Sequence, residues 1–364
     1  MSRRSLVAIL AAVLGAVGFA VPVKAAVPDV WAFAYSDTAA PPLPDWPMDP
    51  ARQAGTYSTT CPDESATVTA LGTGVYEVRF PCSAAEAGVV HVTAVNATGG
   101  FCEAGPWRAV GADEVVTVFC FDAAGAPAWG RFAVVFMQSS GTASPRLHAY
   151  AHADAAGTLR TGFNSTGGTV GAMSFGAGTG RYRIELGGLN GGSLAGDLQV
   201  TAVDDNGAPR HCAIADWAGS GASYLAYVQC FDERGRPVDT AFTLSYHHKA
   251  TVYGAPPTKA TPLAYLLGPL PVSLPDTSYN SAGGTNVLVG SGPGHYDLTF
   301  GQAAAGGATH VQVSTFSNLF VYCVLTGVPP WLVAAPDVAV DVDCYRTGGT
   351  RAPASFFTTY ASAA

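Results

Sequence analysis

Charge is what this sequence has least of. Only 12% of its 364 residues are Asp, Glu, Lys or Arg, about half the usual quarter. Lysine is nearly absent, occurring only as Lys24, Lys249 and Lys259. With 26 acidic residues against 18 basic, the net charge is −8, and such a chain repels nucleic acid and anionic lipid. There is no Gly-x-Ser-x-Gly, no His-Glu-x-x-His and no P-loop. The commonest self-announcing hydrolase and nucleotide motifs are therefore missing. No Cys-x-x-Cys occurs either, which makes zinc a poor reading of the 8 cysteines. Past the first residues no apolar run is long enough to span a bilayer.

Those first residues read as an export signal over 1–25. Arg3 and Arg4 precede an apolar stretch from Leu6 to Val21, and "VPVKAA" offers small residues for cleavage near Ala25 or Ala26. "SRRSLV" also resembles a twin-arginine signal, so the export route stays open. Cleavage removes Arg3, Arg4 and Lys24 but no acid, so the mature chain is more acidic still. A secreted protein is expected, and its cysteines should be oxidised. Glycine and proline are plentiful, at 43 and 25, which suits many short strands joined by tight turns.

One unit occurs three times. Trp107 and Cys120, Trp217 and Cys230, and Trp331 and Cys344 are each 13 residues apart. A first cysteine precedes each Trp, at Cys102, Cys212 and Cys323. Cys-Phe-Asp-x-x-Gly-x-Pro is shared by Cys120–Pro127 and Cys230–Pro237. Upstream lie "GVYEVRF", "GRYRIEL" and "GHYDLTF". In these, Tyr76, Val78 and Phe80 share one face and Glu77 and Arg79 the other. This period-2 pattern marks a strand with one side on a core. The repeat length is that of a domain rather than a solenoid unit. The expected fold is all-β: three tandem β-sandwich domains of immunoglobulin-like size, at 27–140, 146–252 and 261–363. "QSSGTASP" and "YGAPPTKATP" serve as linkers. Each copy carries its own core strands and is expected to fold by itself.

These motifs resemble tandem β-sandwich repeats in secreted proteins of high-GC bacteria, especially actinobacteria. The resemblance covers nearly the whole mature chain and implies location and fold, with no catalytic residue. The cysteine pattern is not that of antibodies, because the paired residues sit in nearby strands. Eight cysteines allow 105 pairings, but the repeat favours Cys102–Cys120, Cys212–Cys230 and Cys323–Cys344. That leaves Cys61–Cys82, private to copy one.

Function should lie in what the copies do not share. The recurrent Trp107, Trp217 and Trp331 read as core or loop-anchoring indoles, the alternative being sugar stacking. Copy one alone has the proline-stiffened "APPLPDWPMDPARQ", which carries Trp46 and Met48, and it alone has Trp129. These three residues are the candidate ligand contacts. In "LHAYAHAD", His148, Tyr150, His152 and Asp154 point the same way. His148 and His152 lie about 13 Å apart on a flat strand, too far to share one metal. "HHK" at 247–249 reads as a solvated strand end and "DDNG" at 204–207 as a turn; "NAT" and "NST" read as polar turns. Nothing calls for a cofactor. The expected function is non-enzymatic binding of a protein or glycan at or near the cell surface. One alternative is carbohydrate binding through an exposed Trp46 or Trp129, and another is a hydrolase with a dispersed site.

Overall fold

The computed structural model describes residues 29–139, 147–190, 196–255, 263–269 and 277–363. The stretch 1–25 read above as an export signal, and most of both segments read as linkers, lie outside these residues. The described chain is almost entirely strand, arranged in three sheets of eight or nine strands.

The recurrent motifs have local causes. Gly74, Gly180 and Gly294 adopt φ of 71°, 58° and 67°. A side chain there would strike backbone, as at Gly74, where a Cβ would lie 2.3 Å from the Cys120 carbonyl. Glycine is required because it alone accepts both the positive φ and the close approach. Each of the three carbonyls accepts the N–H of a second cysteine, Cys120, Cys230 or Cys344, at 2.8 Å. Two residues on, the tyrosine is buried. Its hydroxyl accepts a backbone N–H from the loop before the last strand: Gly130 to Tyr76, Thr240 to Tyr182, and Ala354 to Tyr296. In Phe-Asp-x-x-Gly-x-Pro, Asp122 accepts from the N–H groups of Ala124 and Ala126, and Asp232 from those of Arg234 and Arg236. The side chain stands in for a turn's own hydrogen bonds.

The four disulfides are Cys61–Cys82, Cys102–Cys120, Cys212–Cys230 and Cys323–Cys344. The three recurrent bridges join directly opposed residues on antiparallel strands, with Cα–Cα 4.0 Å.

Each copy contributes two half-sheets, and their inner faces form its core. In copy one, Val90, Val92, Phe132 and Val134 meet Tyr76, Val78, Val116 and Val118. The half-sheets do not stop at the copy boundary. Strand Phe101–Val110 of copy one runs beside Asp197–Val203 of copy two, through Ala104 and Val203. Arg210–Ser220 of copy two joins Ala308–Phe316 of copy three, through Ile214 and Phe316. Tyr322–Leu325 of copy three joins Val89–Val95 of copy one, through Leu325 and Val95. All three contacts are parallel and fall two residues after the first cysteine. Every sheet thus spans two copies, and the ring of copies closes.

At the centre of the ring, Val89–Val95 and Asp197–Val203 are buried along their whole length, and Ala308–Phe316 along most of it. Their outer faces are apolar, but the faces turned to one another are polar. The Thr201 hydroxyl accepts from Val92 N–H, Ser314 from Val200 N–H, and Thr93 from Val313 N–H, at 3.2, 2.9 and 3.1 Å. Each hydroxyl reaches the residue preceding its counterpart on the neighbouring strand, so the bonds circulate around the centre. One layer along stand His91, Gln199 and Gln312, which are equivalent in register. Gln312 accepts from Thr93, and Gln199 from Ser314. Bonds of this kind offset part of the desolvation of the groups that make them, while the Nε2 of His91 has no partner among the described residues.

Beyond it, His247 lies 2.8 Å from Asp197 and its Nδ1 faces the Ala250 carbonyl at 2.8 Å. The sequence reading of "HHK" as a solvated end is corrected here: His247 is fully buried. Its strand ends against the centre of the ring, not in water. The other end of the centre is closed by Phe101, His211 and Tyr322, whose rings lie 3.9, 4.2 and 5.5 Å apart.

Candidate functional site

The recurrent tryptophans follow from the ring. Each projects from one copy onto the next, Trp331 and Trp107 onto its first strand and Trp217 onto two later strands. Trp331 is 1% exposed; it packs on Tyr35 at 5.5 Å, and its indole N–H donates to Thr309 at 2.9 Å. The Arg52 guanidinium lies over this indole at 5.3 Å. Arg52 also donates to the Trp331 carbonyl at 3.1 Å and pairs with Asp49 at 2.5 Å. Trp217 is 7% exposed and packs edge-on against Phe316 and Phe357, at 4.8 and 5.7 Å.

Trp107 differs. It is only half-buried, and its ring neighbour is His152 at 4.8 Å. Where the second junction has Leu267, Phe316 and Phe357, this one has His152, Val203 and Thr243. The smaller and more polar set leaves a cleft of about 330 Å³, lined by Trp107, His152, Arg160, Glu86 and Asp205 among others. Burial, helped by the Arg160 charge, pushes the His152 imidazole down to about 4, so it is neutral at pH 7. Arg160 leans towards Asp154, with Nε 3.9 Å from the carboxylate.

Of the residues singled out in the sequence, Trp46 is half-buried. It pairs with Val68 at the sheet edge and lines a hollow of about 360 Å³ with Asp37, Asp49 and Gln53. Met48 is only 1% exposed and packs in the copy-one core, and it also lines this hollow. Trp129 is exposed and stands edge-on to Tyr76 at 6.1 Å.

His148 and His152 go to separate places. His148 faces the Val252 carbonyl at 3.2 Å and His152 faces Trp107. Asp204 closes the "DDNG" turn, accepting from Asn206 and Ala208. Asn96 and Asn164 likewise close turns on Thr98 and Thr166. Among the described residues, the one group with metal-ligand proximity is Cys61, Glu64 and Cys82, whose cysteines are bonded to each other. His295 faces Asp343 at 2.5 Å and Asp297 at 3.4 Å. Both ring nitrogens thus address carboxylates, not the hydroxyl a catalytic triad requires.

Sequence reasoning missed the Trp107 cleft because its walls come from two copies. The available signal was that His152 replaces the Tyr35 and Leu267 of the other two first strands. No protein-family model, curated protein or solved structure matches this chain.

Proposed function

We propose that the chain is a secreted, non-enzymatic binding protein that holds its ligand in the Trp107 cleft between the first and second copies. One observation carries this reading. Two of the three equivalent junctions are filled by the protein's own side chains, while the third keeps a half-exposed indole beside ionisable groups. A mostly preformed hollow with an aromatic wall and a few polar groups is the usual form of a ligand site. Four disulfides suit an oxidising compartment. Among the described residues no helix is long and apolar enough to cross a membrane.

Glycan and peptide arrays probed with the purified chain test the reading. Signals lost in Trp107→Ala but kept in Trp129→Ala support it. Signals indifferent to Trp107→Ala refute it. A second reading, glycan binding at the Trp46 hollow, draws on the carboxylates and amide beside that indole; it is supported if glycan signals vanish only in Trp46→Ala.

A further inference from the structure

We infer that the Trp107 cleft receives a cationic side chain, a guanidinium or ammonium on a partner polypeptide. The inference rests on the reading of this cleft as the ligand site and names what enters it. The chain itself supplies the precedent. At the Trp331 junction the equivalent indole is covered by the Arg52 guanidinium, which also bonds the Trp331 carbonyl and an aspartate. The protein thus covers one of its three recurrent indoles with a cation and a second with aromatic rings, and leaves the third half-exposed beside His152. Indole faces attract cations, and the attraction grows as water is excluded.

The open cleft carries carboxylates suited to such a guest. Glu86 and Asp205 both line it. His152 is neutral there, and Arg160 has Asp154 beside it. The remaining local balance is negative, as is the whole chain at −8, which draws basic partners at a distance. A neutral sugar would gain the stacking but not the charge. In this geometry Glu86 and Asp205 play the part that Asp49 plays for Arg52.

The test follows the Trp107 indole N–H resonance of the full chain, assigned by its loss in Trp107→Phe. The probes are a capped Gly-Gly-Arg-Gly-Gly peptide, the same peptide with citrulline, and N,N′-diacetylchitobiose. The arginine peptide should shift the resonance, and citrulline, of the same shape but uncharged, should bind about tenfold more weakly or not at all. Glu86→Gln with Asp205→Asn should weaken arginine binding to a similar degree. Val203→Phe, which installs the residue that closes the Trp217 junction, should abolish it with the fold retained. Equal shifts from arginine and citrulline would overturn the cationic reading while leaving the cleft as a ligand site. A shift from the disaccharide alone would do the same and make the site a sugar site. If the arginine peptide shifted the resonance equally well in Val203→Phe, the cleft itself would be the wrong place and both readings would fall.

Discussion

Replacing His91 by glutamine should make the protein more resistant to acid, by an amount that can be worked out. His91 sits in the layer that Gln199 and Gln312 complete, so glutamine is the residue its two counterparts already use. Burial, aided by the neighbouring His247, pushes the His91 imidazole from 6.5 down to about 3. The folded protein therefore refuses a proton that the unfolded chain accepts. Stability is intact above about pH 6.5 and is lost as pH falls towards 3. Between those limits each further pH unit of acidification favours the unfolded chain by up to about 1.4 kcal/mol. The penalty from this one group is then about 1 kcal/mol at pH 6 and about 3 kcal/mol at pH 4. The variant escapes that penalty. Glu103 and Glu114, which burial shifts upward, act in the opposite sense but are present in both proteins and cancel.

Urea unfolding at pH 6 and pH 4 measures the difference. Whatever the variant's stability at pH 6, it should gain roughly 2–3 kcal/mol on the wild type between the two pH values. Parallel losses would mean that His91 titrates freely, and that the centre of the ring admits water. His148 and His310 are also pushed down to about 3 by burial, so the wild type should unfold steeply below about pH 4–5.

Three further outcomes follow from the same structure. Thr201→Val keeps the side-chain shape but strands the Val92 N–H; it should cost about 1–3 kcal/mol in chemical unfolding, against almost nothing for a threonine whose hydroxyl meets water. Replacing Cys212 and Cys230 with alanine opens a bridge spanning 18 residues; it should lower stability by about 3 kcal/mol, and non-reduced peptide mapping of the parent should recover only the four bridges within copies. Calorimetry of the full chain should show one cooperative transition, because each sheet crosses a copy boundary, whereas residues 146–252 alone should be expanded or self-associating; three separable transitions would restore independent folding.

Much of the local framework was legible because it depends on neighbours in sequence. Tyr76, Val78 and Phe80 alternate with Glu77 and Arg79, and that alone placed a half-buried strand. Repetition did the rest for the cysteines, since a pairing possible in one copy had to be possible in all three. The centre of the ring was not legible, for a definite reason. Alternation shows that a strand has a polar face but not what that face meets. Gln199, Thr201, Gln312 and Ser314 have the residue types of a solvated face, yet they meet one another. The same ambiguity hid His247, whose partner Asp197 lies 50 positions away in sequence but opposite it on the neighbouring strand. Within one copy these residues have no reason to be inside; only the closure of three copies gives them one.

That closure also bears on why one chain holds all three copies. Three identical subunits could build the same ring, but each tryptophan junction would then be filled, or left open, alike. Fusing the copies lets each junction diverge on its own. The private insert of copy one carries Arg52 to Trp331 and nowhere else. Copy three places Phe316 and Phe357 on Trp217. Copy two answers Trp107 with His152 and Val203, and there the cleft opens. The two filled junctions bury apolar surface that helps hold the ring shut. The third gives up part of that burial, and a site formed from two copies can exist only where the junction is left incomplete.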